Sequence, residues 1–245
     1  MKNITVSIII PSYNEALRIS PTIEKVHDYF STTEVTDYEC IIVNDGSADE
    51  TGQILENLQK LYPEVKGINL QINQGKGNAL RRGIERATGK YILTLDADGS
   101  TPISEYKKLF DQLMEENDDI AIGSRHLERS HILIKQPWYR VLISRAANLL
   151  IQITLLPGIK DTQCGFKLYK ADVAKKLFSQ SKINGFGIDM EILSLAKKQK
   201  LRIKEVPVDW LDSKNSTLRP VRSTLRTLLE LIKIIYSSLY SKNLK

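Results

Sequence analysis

Apolar runs alternate with segments of helical period through the first half of this chain. Val6–Ile10, Tyr38–Val43, Val65–Leu70 and Tyr91–Leu95 are rich in Val, Ile and Leu. Runs this apolar suit strands buried on both faces of a sheet. Helices are expected over Ile19–Phe30, Asp49–Leu61, Gly77–Thr88 and Ile103–Glu116, the first with Ser20 as its N-cap and Pro21 at its first helical position. Such alternation predicts an α/β fold, a mostly parallel, doubly wound sheet flanked by helices. Ile120–Ile122 adds a short strand. The second half is less regular: Trp138–Leu156 reads as a mostly apolar helix ended by Pro157-Gly158, Ala171–Ser179 and Ile188–Lys198 as helices, and Arg202–Val208 as a strand. Ser223–Tyr240 reads as a last, amphipathic helix. The expected organisation is a main domain over residues 1–212 and a basic amphipathic helix within 213–245.

The chemistry-bearing residues cluster where the apolar runs end. Asp96-Ala97-Asp98 follows Tyr91–Leu95 and precedes Gly99-Ser100-Thr101-Pro102. Alternate side chains of a strand point the same way, so both carboxylates are expected to aim at one point beyond its carboxyl end. Open α/β sheets bind ligands there. Paired hard oxygens suit Mg²⁺ or Mn²⁺, especially an ion shared with a diphosphate. Pro11-Ser12-Tyr13-Asn14-Glu15 and Asn44-Asp45-Gly46-Ser47 end the first two runs and belong to the same rim. Asp45 can accept from a uracil or guanine N–H, and Tyr13 offers a ring face or a hydroxyl. Asn73-Gln74-Gly75-Lys76-Gly77-Asn78 opens the next helix, where backbone can approach a ligand closely and Lys76 can reach a phosphate. Its spacing is neither that of a Walker loop nor that of a dinucleotide fingerprint. Any one of these loops could be ordinary turn chemistry; all of them at strand ends of one sheet point to a site.

Composition excludes several classes. At 42% apolar and 26% charged the chain is neither a disordered nor a membrane-embedded polypeptide. No apolar stretch approaches the length of a membrane span, and Met1-Lys2-Asn3 runs into a strand-like segment without the pattern of a secretory leader. Cys40 and Cys164 make no disulfide framework, and a reduced cytosolic setting is expected. Lys214, Arg219, Arg222, Arg226, Lys233, Lys242 and Lys245, against Glu230 alone, carry the whole net charge of +6. A basic end on a neutral body points to an anionic partner surface. Its sparse aromatic content argues against nucleic acid.

Val6–Glu15, Ile41–Ser47, Asn73–Leu80 and Asp96–Pro102 together resemble the nucleotide-sugar half of family 2 glycosyltransferases of GT-A fold. Gly123-Ser124-Arg125 and Asp161-Thr162-Gln163-Cys164-Gly165-Phe166-Lys167 narrow the resemblance to polyprenyl-phosphate glycosyltransferases, such as dolichyl-phosphate glucose and mannose synthases. The mannosyl branch usually has glutamine where this chain has Ser100, so the resemblance tilts the donor toward UDP-glucose rather than a GDP-sugar. It implies a metal-dependent transferase using Mg²⁺ or Mn²⁺. Pro11, Tyr13, Glu15 and Asp45 would contact base and ribose with Lys76 nearby, Asp96 would lie near ribose and sugar, and Asp98, with Asp96, would hold the metal. Arg125, Arg140 and Ser144, with Gln163 beside them, would hold the acceptor phosphate. Asp189 is the candidate base for a hydroxyl acceptor; with a phosphate acceptor it would orient the sugar or the Gln163 loop.

The acceptor reading has support of its own. Arg140, Ser144, Asn148 and Gln152 recur every fourth residue and make one polar stripe on an otherwise apolar helix. Burial in a core is the ordinary fate of such a helix; the other is contact with lipid while Arg140 and Ser144 grip a phosphate. Trp138 and Tyr139 suit a headgroup boundary. In the last helix Leu225, Leu228, Leu229, Ile232, Ile235, Tyr236 and Leu239 form one apolar stripe, flanked by Arg222, Arg226 and Lys233. An interfacial helix on anionic lipid has this pattern, as does one packed on the main domain or against a second subunit of a homodimer. The expected location is the cytoplasmic face of a membrane, held peripherally. Two alternatives stand beside this reading: a family 2 enzyme glycosylating a saccharide or small-molecule hydroxyl, and a nucleotide-sugar-binding protein without turnover.

Overall fold

The computed structural model describes residues 4–33, 37–128, 130, 148–211 and 220–240. In chain order the elements are β1 (Val6–Ser12), α1 (Ile19–Thr32), β2 (Tyr38–Asn44), α2 (Thr51–Leu61), β3 (Val65–Asn69), α3 (Lys76–Arg86), β4 (Tyr91–Thr94), a 3₁₀ turn (Ile103–Glu105), α4 (Tyr106–Glu115) and β5 (Ile120–Ser124). There follow α5 (148–154), β6 (Lys167–Lys170), α6 (Ala171–Gln180), α7 (Ile188–Lys198), β7 (Ile203–Pro207) and α8 (Pro220–Tyr240). The strands form one seven-stranded sheet in the order β3-β2-β1-β4-β6-β5-β7. Every neighbouring pair is parallel except the two made by β6, which runs against both β4 and β5.

Side-chain alternation divides the core in two. Ile8 and Ile10 of β1 point to one face, with Cys40 and Ile42 of β2 and Leu93 of β4; Val26 and Phe30 of α1, Leu55 of α2 and Leu109 of α4 cover them. Ile9, Ile41, Val43 and Ile92 point to the other face, under Leu80 and Ile84 of α3, Leu177 of α6, Leu193 of α7, and Leu231 and Ile234 of α8. Burial on both faces is why these strands read as unbroken apolar runs. Truncating Ile8 or Ile9, each fully buried, to alanine would cost about 2–5 kcal/mol. Both cysteines are buried and free.

Three details depart from the sequence-based expectation. First, α1 begins at Ile19 after Arg18, and Ser20 makes no cap. The backbone N–H groups of Arg18 and Ile19 already turn onto the Glu15 carbonyl, and Pro21 sits within the first turn, where its missing N–H leaves no bond unmade. Second, the helix expected from Ile103 opens as a 3₁₀ turn before α4. Third, β6 fills the gap between β4 and β5, in a stretch whose lysine ends hid a strand. Of the helix expected over Trp138–Leu156, residues 138–147 lie outside the described residues, and 148–154 are helical.

The topology prepares a crevice. The chain steps from β1 outward through β2 to β3, then returns to place β4 on the other side of β1. That reversal splays the loops after β1, β2 and β4 apart at their carboxyl ends. Because β6 is reversed, its first residue, Lys167, pairs with Thr94 at the end of β4, which brings residues 161–166 to the same rim. The carboxyl end of β5 delivers Arg125 there as well.

Candidate active site

Asp96, Ala97 and Asp98 lie in the loop just past β4, not on the strand. Gly99 N–H donates to the Asp96 carbonyl at 3.2 Å, closing a turn, and Ser100 N–H donates to Asp98 Oδ1 at 3.0 Å. Thr22 of α1 donates its hydroxyl to the Ala97 carbonyl at 2.9 Å and pins the turn from below. The two carboxylates meet different cations. Asp96 Oδ1 pairs with Lys76 Nζ at 2.9 Å, whereas Asp98 Oδ2 lies 3.7 Å from Arg18, whose main partner is Glu15 at 2.6 Å. Gly165 abuts Asp96 so closely that any side-chain carbon there would overlap the carboxylate; that contact gives this glycine of the 161–167 motif its reason.

Lys76 is the hub of a charge network. Its ammonium group also lies 3.3 Å from Asp189 Oδ2, and the other Asp189 oxygen pairs with Lys167. Lys167 is fully buried and also donates to the Cys164 carbonyl. Burial alone would lower the Lys76 pKa, but the charges of Asp189 and Asp96 overcome it and drive the pKa up. Enclosure would raise the Asp96 carboxyl, and Lys76 foremost, then Lys167 and Arg125, hold it below its ordinary value. Asp98 shifts the opposite way: burial and the charge of Asp96 raise it, and Ser100 and Arg18 offset only part. Burial pushes the Glu15 carboxyl up to about 7 against the pull of Arg18, with the charges of Asp98 and Asp96 adding to the rise.

The remaining expected residues sit around this centre. Pro11 is half-buried near the end of β1, and Tyr13 just beyond it is 44% exposed, open to a ligand. Asp45 is buried, and its two oxygens accept from the backbone N–H groups of Gln74 (3.0 Å) and Gly75 (2.6 Å). It therefore ties the β2 loop to the loop that carries Lys76. Arg125 forms a bidentate pair with buried Asp161, Nε and Nη2 donating at 2.7 and 2.9 Å, and its guanidinium lies 5.5 Å from the Trp210 ring centre. Gln163 follows, half-buried, its backbone N–H on Asp161 Oδ1 at 3.3 Å. Arg140 and Ser144 lie outside the described residues. The described half of their stripe, Asn148 and Gln152, donates to the Lys160 carbonyl beside Asp161.

Sequence reasoning assigned no role to Arg18, Asp161, Lys167 or Trp210. A signal for Lys167 was present, a lone charge inside the apolar run Phe166–Tyr169; for Trp210 there was none.

Four buried polar atoms on this rim have no hydrogen-bond partner: Glu15 Oε2, Ser124 Oγ, Thr162 Oγ1 and Gln163 Nε2. Such atoms are rare in folded interiors and ask for a ligand, ion or water. Among the described residues no three His, Cys, Asp or Glu side chains form a metal site by themselves. Two half-buried carboxylates side by side, Asp96 and Asp98, fit a divalent ion that takes its other ligands from a diphosphate and water.

A family model described as Glycosyl transferase family 2 matches residues 7–178. The chain belongs to this family. Relatives extend the match: the dolichyl-phosphate beta-glucosyltransferase of Dictyostelium discoideum is 34% identical over 242 residues, covering 95% of this chain and 74% of that protein. The enzyme of the same description from Homo sapiens is 34% identical over 240 residues, covering 93% and 74%. Among solved structures, glucosyl-3-phosphoglycerate synthase from Mycobacterium tuberculosis, in complex with Mn²⁺, UDP and glucosyl-3-phosphoglycerate, superposes with a TM-score of 0.69 at 16% identity, covering 94% of this chain and 80% of that one. Mannosyl-3-phosphoglycerate synthase from Rubrobacter xylanophilus superposes with a TM-score of 0.71 at 19% identity, over 99% and 76%. This glycosyltransferase therefore has the GT-A fold expected from its sequence.

Proposed function

We propose that this glycosyltransferase moves glucose from UDP-glucose to the phosphate of a polyprenyl phosphate of the dolichyl type, with inversion at the anomeric carbon. The observation that carries the reading is the crevice beyond β4, where Asp96 and Asp98 face half-buried Lys76 and Arg18, with fully buried Lys167 paired to Asp189 behind them. The match over most of the chain to dolichyl-phosphate beta-glucosyltransferases supports both donor sugar and acceptor.

Pro11, Tyr13, Glu15 and Asp45 line the base and ribose end. Asp98, with Asp96, would hold a Mg²⁺ or Mn²⁺ ion; such an ion would supply positive charge to offset the negative charge developing on the departing diphosphate. Lys76 lies where a diphosphate or the sugar would meet Asp96. Arg125, Gln163, Arg140 and Ser144 take the acceptor phosphate, with Asp161 orienting the Arg125 fork. A phosphate monoester has a second pKa of about 6 and is largely dianionic at neutral pH, so its oxygen attacks without a general base. Asp189 agrees with that chemistry, because both its oxygens face ammonium groups, the arrangement of an orienting residue. A hydroxyl acceptor would need one of those oxygens free to take a proton.

The lipid acceptor favours work at a membrane surface. No helix among the described residues is long and apolar enough to cross a bilayer. Leu229, Ile232 and Tyr236 of α8 and Leu149, Leu150 and Ile153 of α5 are exposed, and Arg226 and Lys233 stand exposed on α8. We read this as peripheral attachment to the cytoplasmic face of an anionic membrane. Incubation with a panel of UDP- and GDP-sugars, Mg²⁺ or Mn²⁺ and a short polyprenyl phosphate tests the whole reading. The expected product has the mass of a hexosyl polyprenyl phosphate, formed from UDP-glucose. Transfer only to saccharide or small-molecule hydroxyls would overturn the acceptor, and failure of every donor to react would overturn the enzyme.

A further inference from the structure

Glu230 is the lone acid of the basic C-terminal segment, and nothing in the chemistry above uses it. It is 7% exposed on α8, beside Leu229 at 61%. Its Oε2 accepts from Gly187 N–H at 2.7 Å. Its Oε1 lies against Gly185, where a side-chain carbon would overlap it. Arg226, one turn earlier on α8, approaches Oε1 only to 4.0 Å. The carboxylate is thus seated at the amino end of α7, where free N–H groups favour a negative charge.

The strap over residues 181–187 is gripped from its other side by the element that carries Lys76. Gly77 N–H donates to the Asn184 carbonyl at 2.7 Å. Arg81 of α3 donates to the Ile183 carbonyl at 2.8 Å, to Ser181 Oγ at 3.2 Å and to Asn184 Oδ1. Gly77 packs so tightly on the Ile183 carbonyl that a side-chain carbon would overlap it. Two residues beyond Gly187, Asp189 pairs with Lys76 and Lys167. One strap therefore joins the C-terminal helix to the lysine loop and to the aspartate that holds the lysine.

We infer that Glu230 is a positioning residue of the donor site, acting through the 181–187 strap on Lys76 and Asp189. The inference rests on the donor-site reading given above. It makes α8 part of the catalytic body. A helix that served only as a surface anchor would have no use for a buried carboxylate, whose desolvation is costly. Withdrawing that acceptor leaves the Gly187 N–H buried and unmatched, and the strap is then free to shift the lysine loop.

Calorimetric titration of the full chain with UDP and Mn²⁺, paired with initial rates on UDP-glucose and a short polyprenyl phosphate, tests this. E230L should weaken UDP binding and raise the donor KM about tenfold, the scale of one lost hydrogen bond to a charged group. The acceptor KM should be unmoved. E230Q keeps an acceptor oxygen in place and should return both donor values close to wild type. E230D withdraws the carboxylate by one methylene while keeping its charge, and it carries the same expectation where E230L does not fold. A purely structural role would lower the melting temperature and leave UDP affinity untouched; that result, in whichever of the two variants folds, overturns the inference. A wild-type chain that binds no UDP removes the donor-site reading itself, whereas equal UDP binding by wild type and variant removes only the role of Glu230.

Discussion

Asp161 has almost no exposed surface and accepts five hydrogen bonds, three from Arg125 and one each from the backbone of Gln163 and Cys164. Burial would raise its carboxyl; the Arg125 charge reverses that and holds it far below the usual carboxylate range. A folded-state value below the unfolded one contributes stability above an unfolded pKa of about 4 and loses it as pH falls from there toward the folded value. D161N should therefore destabilise the protein by about 2–4 kcal/mol at neutral pH, because it strands a partly buried guanidinium. The gap to wild type in urea unfolding should hold from pH 8 to pH 5 and begin to close below about pH 4. A gap that ignores pH would place the effect in packing rather than charge. Lys167 and Asp189 form a second such pair. K167M alone leaves Asp189 beside one cation instead of two, and the double variant K167M/D189L should recover stability that K167M loses, with a coupling of about 2–3 kcal/mol. Purely additive losses would mean that the pair is not a unit. Asp96, Asp98 and Lys76 were legible in the sequence because each stands where an apolar run stops or a helix starts. Their partners were not, because ion pairs such as Lys167 with Asp189 join residues far apart in the chain, and no local pattern encodes a contact made by the fold.

At the level of elements, the legible parts were the long ones. β1, β2, α2 and α7 match their expected spans closely because apolar periodicity and tertiary packing agree over many residues. β6 has four residues, with a lysine at each end; the sheet sets its structure by supplying partners on both sides. The C-terminal helix presents apolar side chains to two surfaces. Leu231 and Ile234, which lie outside the stripe read from the sequence, face the core, while Leu229, Ile232 and Tyr236 of that stripe stand outside. Exposed apolar side chains beside exposed Arg226 and Lys233 fit an anionic bilayer surface, where acyl contact and headgroup attraction add. The triple variant L229S/I232S/Y236S should cut co-sedimentation with phosphatidylglycerol vesicles at least about tenfold, since each exposed apolar side chain is worth on the order of 1 kcal/mol when covered. UDP affinity should not change. If the variant binds vesicles as well as wild type but no longer self-associates in sedimentation equilibrium, a second copy of the chain covers this face instead.

The whole molecule explains why weak local signals sum to a site. β1 lies between strands reached by opposite turns of the chain, so the loops after β1, β2 and β4 open around one crevice. The reversed β6 and the end of β5 then add Lys167 and Arg125 to its far wall. Asp96 and Asp98 stand together in one loop, whereas the cations around them, Arg18, Lys76, Arg125 and Lys167, come from four separate elements. That asymmetry makes a cation testable as a working part. With Asp96 already paired to Lys76 at 2.9 Å, Asp98 is left with Arg18 at 3.7 Å as a loose partner. A diphosphate brought beside Asp98 adds further negative charge to a partly buried place, which is unfavourable unless a cation arrives with it. Chelation with EDTA should therefore weaken UDP binding at least about a hundredfold, the scale of a few kcal/mol of unscreened repulsion. Added Mn²⁺ or Mg²⁺ should restore binding in the wild type. In D98N the repulsion and the metal ligand disappear together, so residual UDP binding should be weak and indifferent to both EDTA and Mn²⁺. Wild-type binding that ignores chelation would assign neutralisation of the diphosphate to side-chain cations such as Lys76 and Arg18, and would leave Asp98 to act on the sugar.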